Sequence, residues 1–237
     1  MTPTDNDLTA AIMQFQDERV NPDACDAAQA AELENISSSP PNDLIICKDG
    51  SRSLVGKHTL DDGTECVLKY YYPKNLAKKI NYALRGSRCM RSWIAAKVFS
   101  RLGIPTAAPM MIHEQKGAIG ITIKQSFLAC HLAPGTPLCD ITDEDVLQKV
   151  ASQLDKTFTT MASYHISHGD LKANNIIVSN DGKIRFIDLD GVTIMSPKKK
   201  WIELHKRDQK RFLKNWSSDS AAYQIFKDII PPAQPSA

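Results

Sequence analysis

The most constraining stretch of this sequence is a polar loop between a long amphipathic segment and a short apolar hairpin. Residues 143–164 place apolar side chains at every fourth position, which predicts a helix. The loop His168-Gly-Asp-Leu-Lys-Ala-Asn-Asn175 follows, and then two apolar runs, residues 176–178 and 184–187, flank a turn. An acidic loop, Asp188-Leu-Asp-Gly191, comes next. This order predicts that the polar side chains of both loops converge at one end of the hairpin.

Four side chains in these loops are of the types that phosphoryl transfer requires. The reaction needs a carboxylate to accept the proton of the attacking hydroxyl, a cation for the phosphoryl oxygens, and oxygen ligands for Mg²⁺. We therefore predict Asp170 as the catalytic base and Lys172 as the cation. Asn175 and Asp188 are the predicted Mg²⁺ ligands. Two roles remain open for Asp190: a second metal or substrate contact, or a turn residue.

The string H-x-D-x-x-x-x-N over residues 168–175, with Asp188 downstream, resembles the catalytic and metal-binding loops of protein-kinase-like enzymes. Val67-Leu-Lys69 is similar to the strand lysine motif of that superfamily, which implies that Lys69 contacts the α and β phosphates of ATP. Within the superfamily, residues 86–109 and the loop at 168–171 resemble the bacterial lipopolysaccharide core kinases. The resemblance implies transfer of phosphate from ATP, with Mg²⁺, to a hydroxyl of Kdo or heptose.

Two departures from the kinase pattern concern the nucleotide. The predicted nucleotide-covering loop, residues 48–56, has only two glycines, so we assign phosphate contacts there to Ser51, Ser53 or backbone N–H groups. The segment 82–98, where a glutamate partner for the strand lysine is expected, contains no acid. Glu114 is the candidate substitute. Because this glutamate is missing, a pseudokinase that binds nucleotide without transferring phosphate stays an alternative.

The resemblance implies an α+β, two-lobed protein-kinase-like fold, with an antiparallel β N-terminal lobe and a mainly helical, truncated C-terminal lobe. Apolar runs broken by glycine turns between residues 43 and 72 predict an antiparallel meander. Further strands are predicted around residues 110–113 and 118–128. Residues 1–42 are acidic and poor in apolar side chains. We predict a disordered tail at 1–42, an N-terminal nucleotide-binding lobe at 43–130 and a C-terminal catalytic lobe at 131–237.

The charges are unevenly distributed. The chain has 29 Lys and Arg against 27 Asp and Glu, a net charge of +2, but residues 1–40 contribute −7 and the remainder +9. A basic body favours an anionic partner. Eight bases near the predicted active site suit an anionic glycolipid or sugar acceptor: Lys198, Lys199, Lys200, Lys206, Arg207, Lys210, Arg211 and Lys214. The alternative is a solvated helix face whose Trp201, Leu204, Phe212 and Trp216 pack inward.

Only 46 residues follow Gly191, which favours a small or lipid-linked acceptor over a protein, although a small protein kinase stays an alternative. We find no nucleic-acid-binding module and expect no nucleic-acid partner. The chain has no run of 18 apolar residues and no signal-like N-terminus, so we expect a cytoplasmic protein with at most peripheral contact at the inner membrane. Six cysteines without a C-x-x-C pair are expected to be reduced. His165-x-x-His168-x-Asp170 is also compatible with a metallohydrolase cluster.

Overall fold

The computed structural model describes residues 3–117 and 122–231, without the side chains of Ala83 and Arg85. The described residues form an α+β protein with seven α-helices and a five-stranded antiparallel sheet. They group into two compact units. We call Thr9–Lys97 with Ala107–Leu132 the sheet unit, and Met1–Leu8, Val98–Thr106 and Ala133–Ala237 the helical unit.

The sheet unit is built on five strands: β1 Ile45–Gly50, β2 Ser53–Thr59, β3 Glu65–Tyr71, β4 Pro109–Lys116 and β5 Ile123–His131. The predicted antiparallel meander of β1, β2 and β3 is confirmed. The strand order is β1-β2-β3-β5-β4, so β5 and not β4 lies beside β3. The strand predicted around residues 118–128 corresponds to β5, and its first residues, 118–121, lie outside the described part of the chain.

The prediction of a disordered tail over residues 1–42 is wrong for the part that the structure describes. Two helices form there, α1 Asp5–Asp17 and α2 Ala27–Ile36. The segment between them is tied to β4, because the Asn21 N–H donates to the Met110 carbonyl at 2.9 Å. Composition counts apolar residues but does not show which of them are buried, and here five of them are: Leu8, Ala11, Phe15, Cys25 and Leu33.

Two helices connect β3 to β4. The first, α3 Leu76–Arg85, begins at Asn75, whose side chain accepts a 2.9 Å hydrogen bond from the Lys78 N–H. The second, α4 Arg88–Arg101, ends just before Gly103, which has a φ of +68° and closes the helix as the sequence predicts. Three α4 side chains pack against the sheet: Cys89, Met90 and Trp93. The contact leaves one face of β3, β4 and β5 covered by α4.

The helical unit contains the long helix α5 Glu144–Ser163, which begins at Asp143, and a small sheet of β6 Thr136–Pro137, β7 Ile176–Val178 and β8 Ile184–Phe186. Two helices follow, α6 Lys198–Leu213 and α7 Ala221–Phe226. An aromatic cluster with ring centroids 4.9–5.7 Å apart joins α5, α6 and α7: Phe158, Phe212, Trp216 and Phe226. This cluster packs α6 against α5 and α7.

Candidate active site

The loop at residues 168–175 lies directly against the loop that follows β8. Gly169 has a φ of +80°, and a Cβ built on it would lie 2.3 Å from the carbonyl oxygen of Gly191. Both the backbone conformation and the close approach therefore require glycine at this position. A second contact comes from Ile187, whose N–H donates to the Asn175 carbonyl at 2.9 Å. The two polar loops of the sequence prediction are neighbours in the fold.

Asp170 stands among cations. Its carboxylate is about a quarter exposed, with one oxygen 3.1 Å from the Lys172 ammonium and the other in contact with the Arg211 guanidinium. Its backbone carbonyl accepts hydrogen bonds from the Asn175 side-chain amide at 2.8 Å and from the Lys172 N–H at 2.9 Å. These contacts fix the carboxylate with part of its surface open, as a group that accepts a proton from a bound hydroxyl requires.

Asn175 and Asp188 have the donor atoms that a magnesium ion prefers. Asn175 is nearly buried, and since its NH₂ group donates to the Asp170 carbonyl, its amide oxygen is left to act as a ligand. Asp188 is half-buried and adopts a left-handed backbone conformation, with φ of +59° and ψ of +56°. Strained backbone of this kind is frequent at functional sites. The pair fits Mg²⁺ in the chemistry of its oxygens.

His168 is fully buried beside these groups. Burial lowers the pKa of its imidazole, and the negative charges of Asp208, Asp188 and Asp170 oppose that shift. The ring lies 5.9 Å from that of Phe186. With no exposed surface, His168 is placed to support the loop rather than to contact a substrate.

The alternative metallohydrolase cluster is not assembled. The His165 ring stacks on the ring of Trp201, with a distance of 4.9 Å between the ring centroids. Within residues 3–117 and 122–231, no group of three or more His, Cys, Asp or Glu side chains is arranged to hold a metal.

Asp208 on α6 is a site residue that the sequence reasoning missed. Both of its carboxylate oxygens accept the Gly169 N–H at 3.1 Å, and its side chain is buried. The contact joins residues 39 positions apart and ties the candidate catalytic loop to α6. A signal was present, because residues 201, 205, 208 and 212 share one face of a helix. Among the many charges of that helix, however, the buried acid did not stand out.

The opposite face of α6 is strongly basic. The bases between Lys198 and Lys214 are all exposed, while Trp201 and Phe212 are buried. Leu204 and Trp216, which the sequence also predicted to point inward, are half-buried. Arg211 belongs to this basic face and contacts Asp170, so the face extends to the candidate base itself.

In the sheet unit, Lys69 lies on β3 between Val55 of β2 and Leu128 of β5. Burial raises the pKa of the neighbouring Cys130 thiol to about 11, and the charge of Lys69 opposes the shift. Burial likewise raises the pKa of Cys89, which Glu114 raises further and Lys69 lowers. Glu114 and Lys69 are therefore both within electrostatic reach of the same buried thiol.

Helix α4 has no carboxylate, so the glutamate expected there is absent. One oxygen of the half-buried Glu114 has no hydrogen-bond partner among the described residues. Such an oxygen is costly unless a positive charge lies near it. This supports Glu114 as the substitute acid without placing the two groups in contact.

The predicted nucleotide-covering loop is a tight hairpin between β1 and β2. Ser51 is exposed at the turn, and Ser53 is buried opposite Gly50. Gly56 lies in the ladder, where an added Cβ would lie 2.9 Å from the carbonyl oxygen of Ile45. Gly56 therefore serves the close packing of β1, and Ser51 is the better placed of the two serines for a ligand.

A family model matches this chain over residues 48–226. The family is described as the lipopolysaccharide kinase (Kdo/WaaP) family. The match covers more than half of the chain and includes every residue of the candidate site. The chain belongs to this lipopolysaccharide kinase family. A search of curated proteins found no match.

Membership of a lipopolysaccharide kinase family implies a phosphotransferase that uses ATP, usually with Mg²⁺, and a sugar or glycolipid as acceptor. No helix in the described part of the chain is both long and apolar enough to cross a bilayer. All six cysteines of this family member are free thiols, and Cys25, Cys66 and Cys89 are buried. Burial raises the pKa of Cys66 to about 12, which keeps that thiol protonated and unreactive.

Proposed function

We propose that this protein transfers the γ-phosphoryl group of ATP to a hydroxyl of a lipopolysaccharide core sugar, either Kdo or heptose. The observation that carries the proposal is the arrangement around Asp170, a partly open carboxylate between Lys172 and Arg211 on a loop fixed by Asn175 and Asp208. Family membership supports the reaction class.

In the proposed reaction, the acceptor hydroxyl oxygen attacks the γ-phosphorus in line with the bond to the β-phosphate oxygen. That bond breaks and ADP leaves, while the hydroxyl proton passes to the Asp170 carboxylate. Lys172 is 3.1 Å from that carboxylate and, in the proposal, neutralises the γ-phosphoryl oxygens. Asp170 orients the hydroxyl as well as accepting its proton, and orientation alone accounts for a large part of such rate enhancements.

On the nucleotide side, we assign Lys69 to the α and β phosphates, with Glu114 as the acid that holds its ammonium in place. Asn175 and Asp188 are the residues that would hold Mg²⁺, which supplies charge neutralisation at the phosphate oxygens. The proposal places these roles on a two-lobed kinase-like fold. The half-buried positions of Lys69 and Glu114 in the sheet unit support this assignment.

On the acceptor side, we assign the exposed bases of α6 to the anionic groups of the acceptor. Arg211 is the base in contact with Asp170, so it is the residue placed to bind an anionic group close to the reacting hydroxyl. The remaining bases extend this positive surface along the helix. An acceptor carried on a membrane lipid agrees with peripheral binding at the cytoplasmic face, and we expect no nucleic-acid partner.

A second candidate function is a pseudokinase that binds nucleotide without transfer. The observation that favours it is the absence of a carboxylate on α4, where a strand lysine usually finds its partner. The wild type distinguishes the two functions: ATP binding in calorimetry without phosphate transfer to any acceptor would identify a pseudokinase. If the wild type transfers phosphate and Glu114 holds Lys69, the Glu114→Gln variant should transfer it more slowly.

The proposed function is tested with the full-length protein, radiolabelled ATP and Mg²⁺, and four acceptors: lipid A core carrying Kdo and heptose, the free sugars, an aminoglycoside and a generic protein. We expect label on the core sugar only. Asp170→Asn should abolish transfer while ATP binding, measured by calorimetry, is retained. Labelling of the protein acceptor alone, or full turnover by Asp170→Asn, would overturn the proposal.

A further inference from the structure

Helix α3 presents an apolar stripe to solvent. Leu76, Ile80 and Leu84 are spaced by four and therefore lie on one face of the helix, and their exposed fractions are 64%, 37% and 80%. The half-buried side chains of the helix, Lys79 and Tyr82, belong to a different face. The helix thus packs on the sheet unit through its more polar side and leaves its apolar side uncovered.

This exposure is not the result of an unformed helix. The α3 N-terminus is capped, since the Asn75 side chain accepts the Lys78 N–H at 2.9 Å. The other exposed large apolar residues of the sheet unit, Met13, Ile45 and Ile46, differ in kind. Met13 is alone on α1. Ile45 and Ile46 are neighbours on β1, so their side chains point to opposite faces of the strand and make no stripe. Only α3, among the described helices, exposes three large apolar side chains at helical spacing.

The charge around the stripe selects its occupant. From residue 66 to residue 113 the sequence contains no aspartate or glutamate, and it contains nine lysines and arginines. The charged residues of α3 are all basic. Lys74, which precedes the helix, and Lys78 are exposed, and Lys78 lies on the face of the helix away from the stripe. A short helix with an apolar face and only basic charged residues has the pattern of helices that lie in the headgroup region of an anionic bilayer. At ten residues, α3 is about 15 Å long and lies on a bilayer without crossing it.

We propose that α3 docks this protein on an anionic lipid surface, with Leu76, Ile80 and Leu84 inserted among the acyl chains and Lys74 and Lys78 at the headgroups. The inference deepens the peripheral binding of the proposed function by assigning it to one helix, and it holds for any acceptor. The lipid surface is favoured over a second copy of the chain, because two such basic surfaces would repel each other.

The test is sedimentation of the full chain with vesicles of phosphatidylethanolamine and phosphatidylglycerol, without ATP or any sugar acceptor. We expect the wild type to bind these vesicles and to bind pure phosphatidylcholine vesicles much more weakly. The variant Leu76→Gln/Leu84→Gln should lower the partition coefficient roughly tenfold or more, because two large apolar side chains no longer insert. Glutamine keeps the helix propensity, and both positions are exposed, so folding is retained.

The matched control is Ile45→Gln/Ile46→Gln, which removes two side chains of similar exposure, 68% and 57%, from outside the stripe. It should leave vesicle binding within about twofold of the wild type. The proposal is overturned if the α3 variant binds as the wild type does, if both double variants weaken binding equally, or if the wild type does not bind. It is also overturned if sedimentation without lipid reveals a dimer that only the α3 variant abolishes. Because no ATP is present, none of these results depends on the kinase reaction.

Discussion

Helices α3 and α6 are both basic and both amphipathic, and they differ in which face the rest of the chain covers. Helix α6 buries four side chains spaced three or four apart and exposes its bases: Trp201, His205, Asp208 and Phe212 are buried. Helix α3 exposes its apolar stripe. The periodicity of a sequence predicts that a helix has an apolar and a polar face, but not which face the rest of the chain covers.

The buried face of α6 has specific partners for its polar groups as well as its rings. Asp208 accepts the Gly169 N–H, and the His205 ring is 2.7 Å from the carbonyl oxygen of Pro231. A buried polar group that finds its partner fixes one orientation of a helix. The inward face of α6 therefore supports the candidate catalytic loop, whereas α3 is left available for another surface.

The largest expected difference between the two helices is in stability. Phe212→Ala should lower the free energy of unfolding by about 3–5 kcal/mol, because it leaves a cavity in the aromatic cluster. Leu84→Ala on α3 removes a side chain that is 80% exposed and should change that free energy by no more than about 0.5 kcal/mol. Urea unfolding measures both. Equal losses would mean that α3 is packed as tightly as α6.

The next effect concerns the loop that α6 holds. Asp208→Ala leaves the Gly169 N–H without its acceptor, which should cost about 1–3 kcal/mol in stability and release the loop. Since Asp170 is displaced with the loop, we expect phosphate transfer to fall by roughly a hundredfold. Asp208→Asn keeps one acceptor oxygen and is the matched control, with a smaller loss in both measurements. Undiminished transfer by Asp208→Ala would remove α6 from this supporting role.

The elements that the sequence predicted well are those set by neighbouring residues. The hairpin of β7 and β8, helix α5 and the end of α4 at Gly103 follow local patterns and are confirmed. The resemblance of residues 86–109 and 168–171 indicated the lipopolysaccharide kinase family, which is also confirmed. The roles of Asp170, Lys172, Asn175, Asp188 and Lys69 stay predictions that the proposed experiments test.

The elements that the sequence did not predict depend on distant contacts. Residues 27–36 are helical although their composition is that of a tail, because Leu33 reaches a buried position in the sheet unit. The place of β5 beside β3 is a choice of strand order, which no local pattern encodes. Arg211 was recognised only as one base among eight, since its contact with Asp170 joins residues that are distant in the sequence.

A smaller effect follows from the charges that face His168 in the helical unit. Burial lowers the pKa of His168 below its ordinary value of 6.5, against the opposing effect of Asp208, Asp188 and Asp170. Below pH 6.5 the unfolded chain therefore takes up a proton that the folded protein does not bind. The stability that His168 contributes is complete above this pH and is lost as the pH falls towards the folded pKa, by at most about 1.4 kcal/mol per pH unit.

The variant His168→Gln isolates this contribution. Urea unfolding at several values between about pH 5 and pH 7.5 should show a shallower loss of stability at low pH in the variant than in the wild type. The comparison uses slopes, so a general loss of stability in the variant does not affect it. Identical slopes would show that His168 titrates in the folded protein as it does in the unfolded chain.

The smallest effect separates the basic faces of the two helices. Lys206→Gln/Lys210→Gln on α6 and Lys74→Gln/Lys78→Gln on α3 each remove two exposed charges, and neither should change stability by more than about 0.5 kcal/mol. With a detergent-solubilised anionic acceptor, the α6 variant should raise the KM for the acceptor by roughly threefold, because its charges lie on the face that reaches Asp170. The α3 variant should leave that KM unchanged, since no bilayer is present. Added salt should reduce the difference, as screening weakens exposed charges. If both variants raise the KM equally, the acceptor responds to the net charge of the protein, and the two basic faces have no separate tasks.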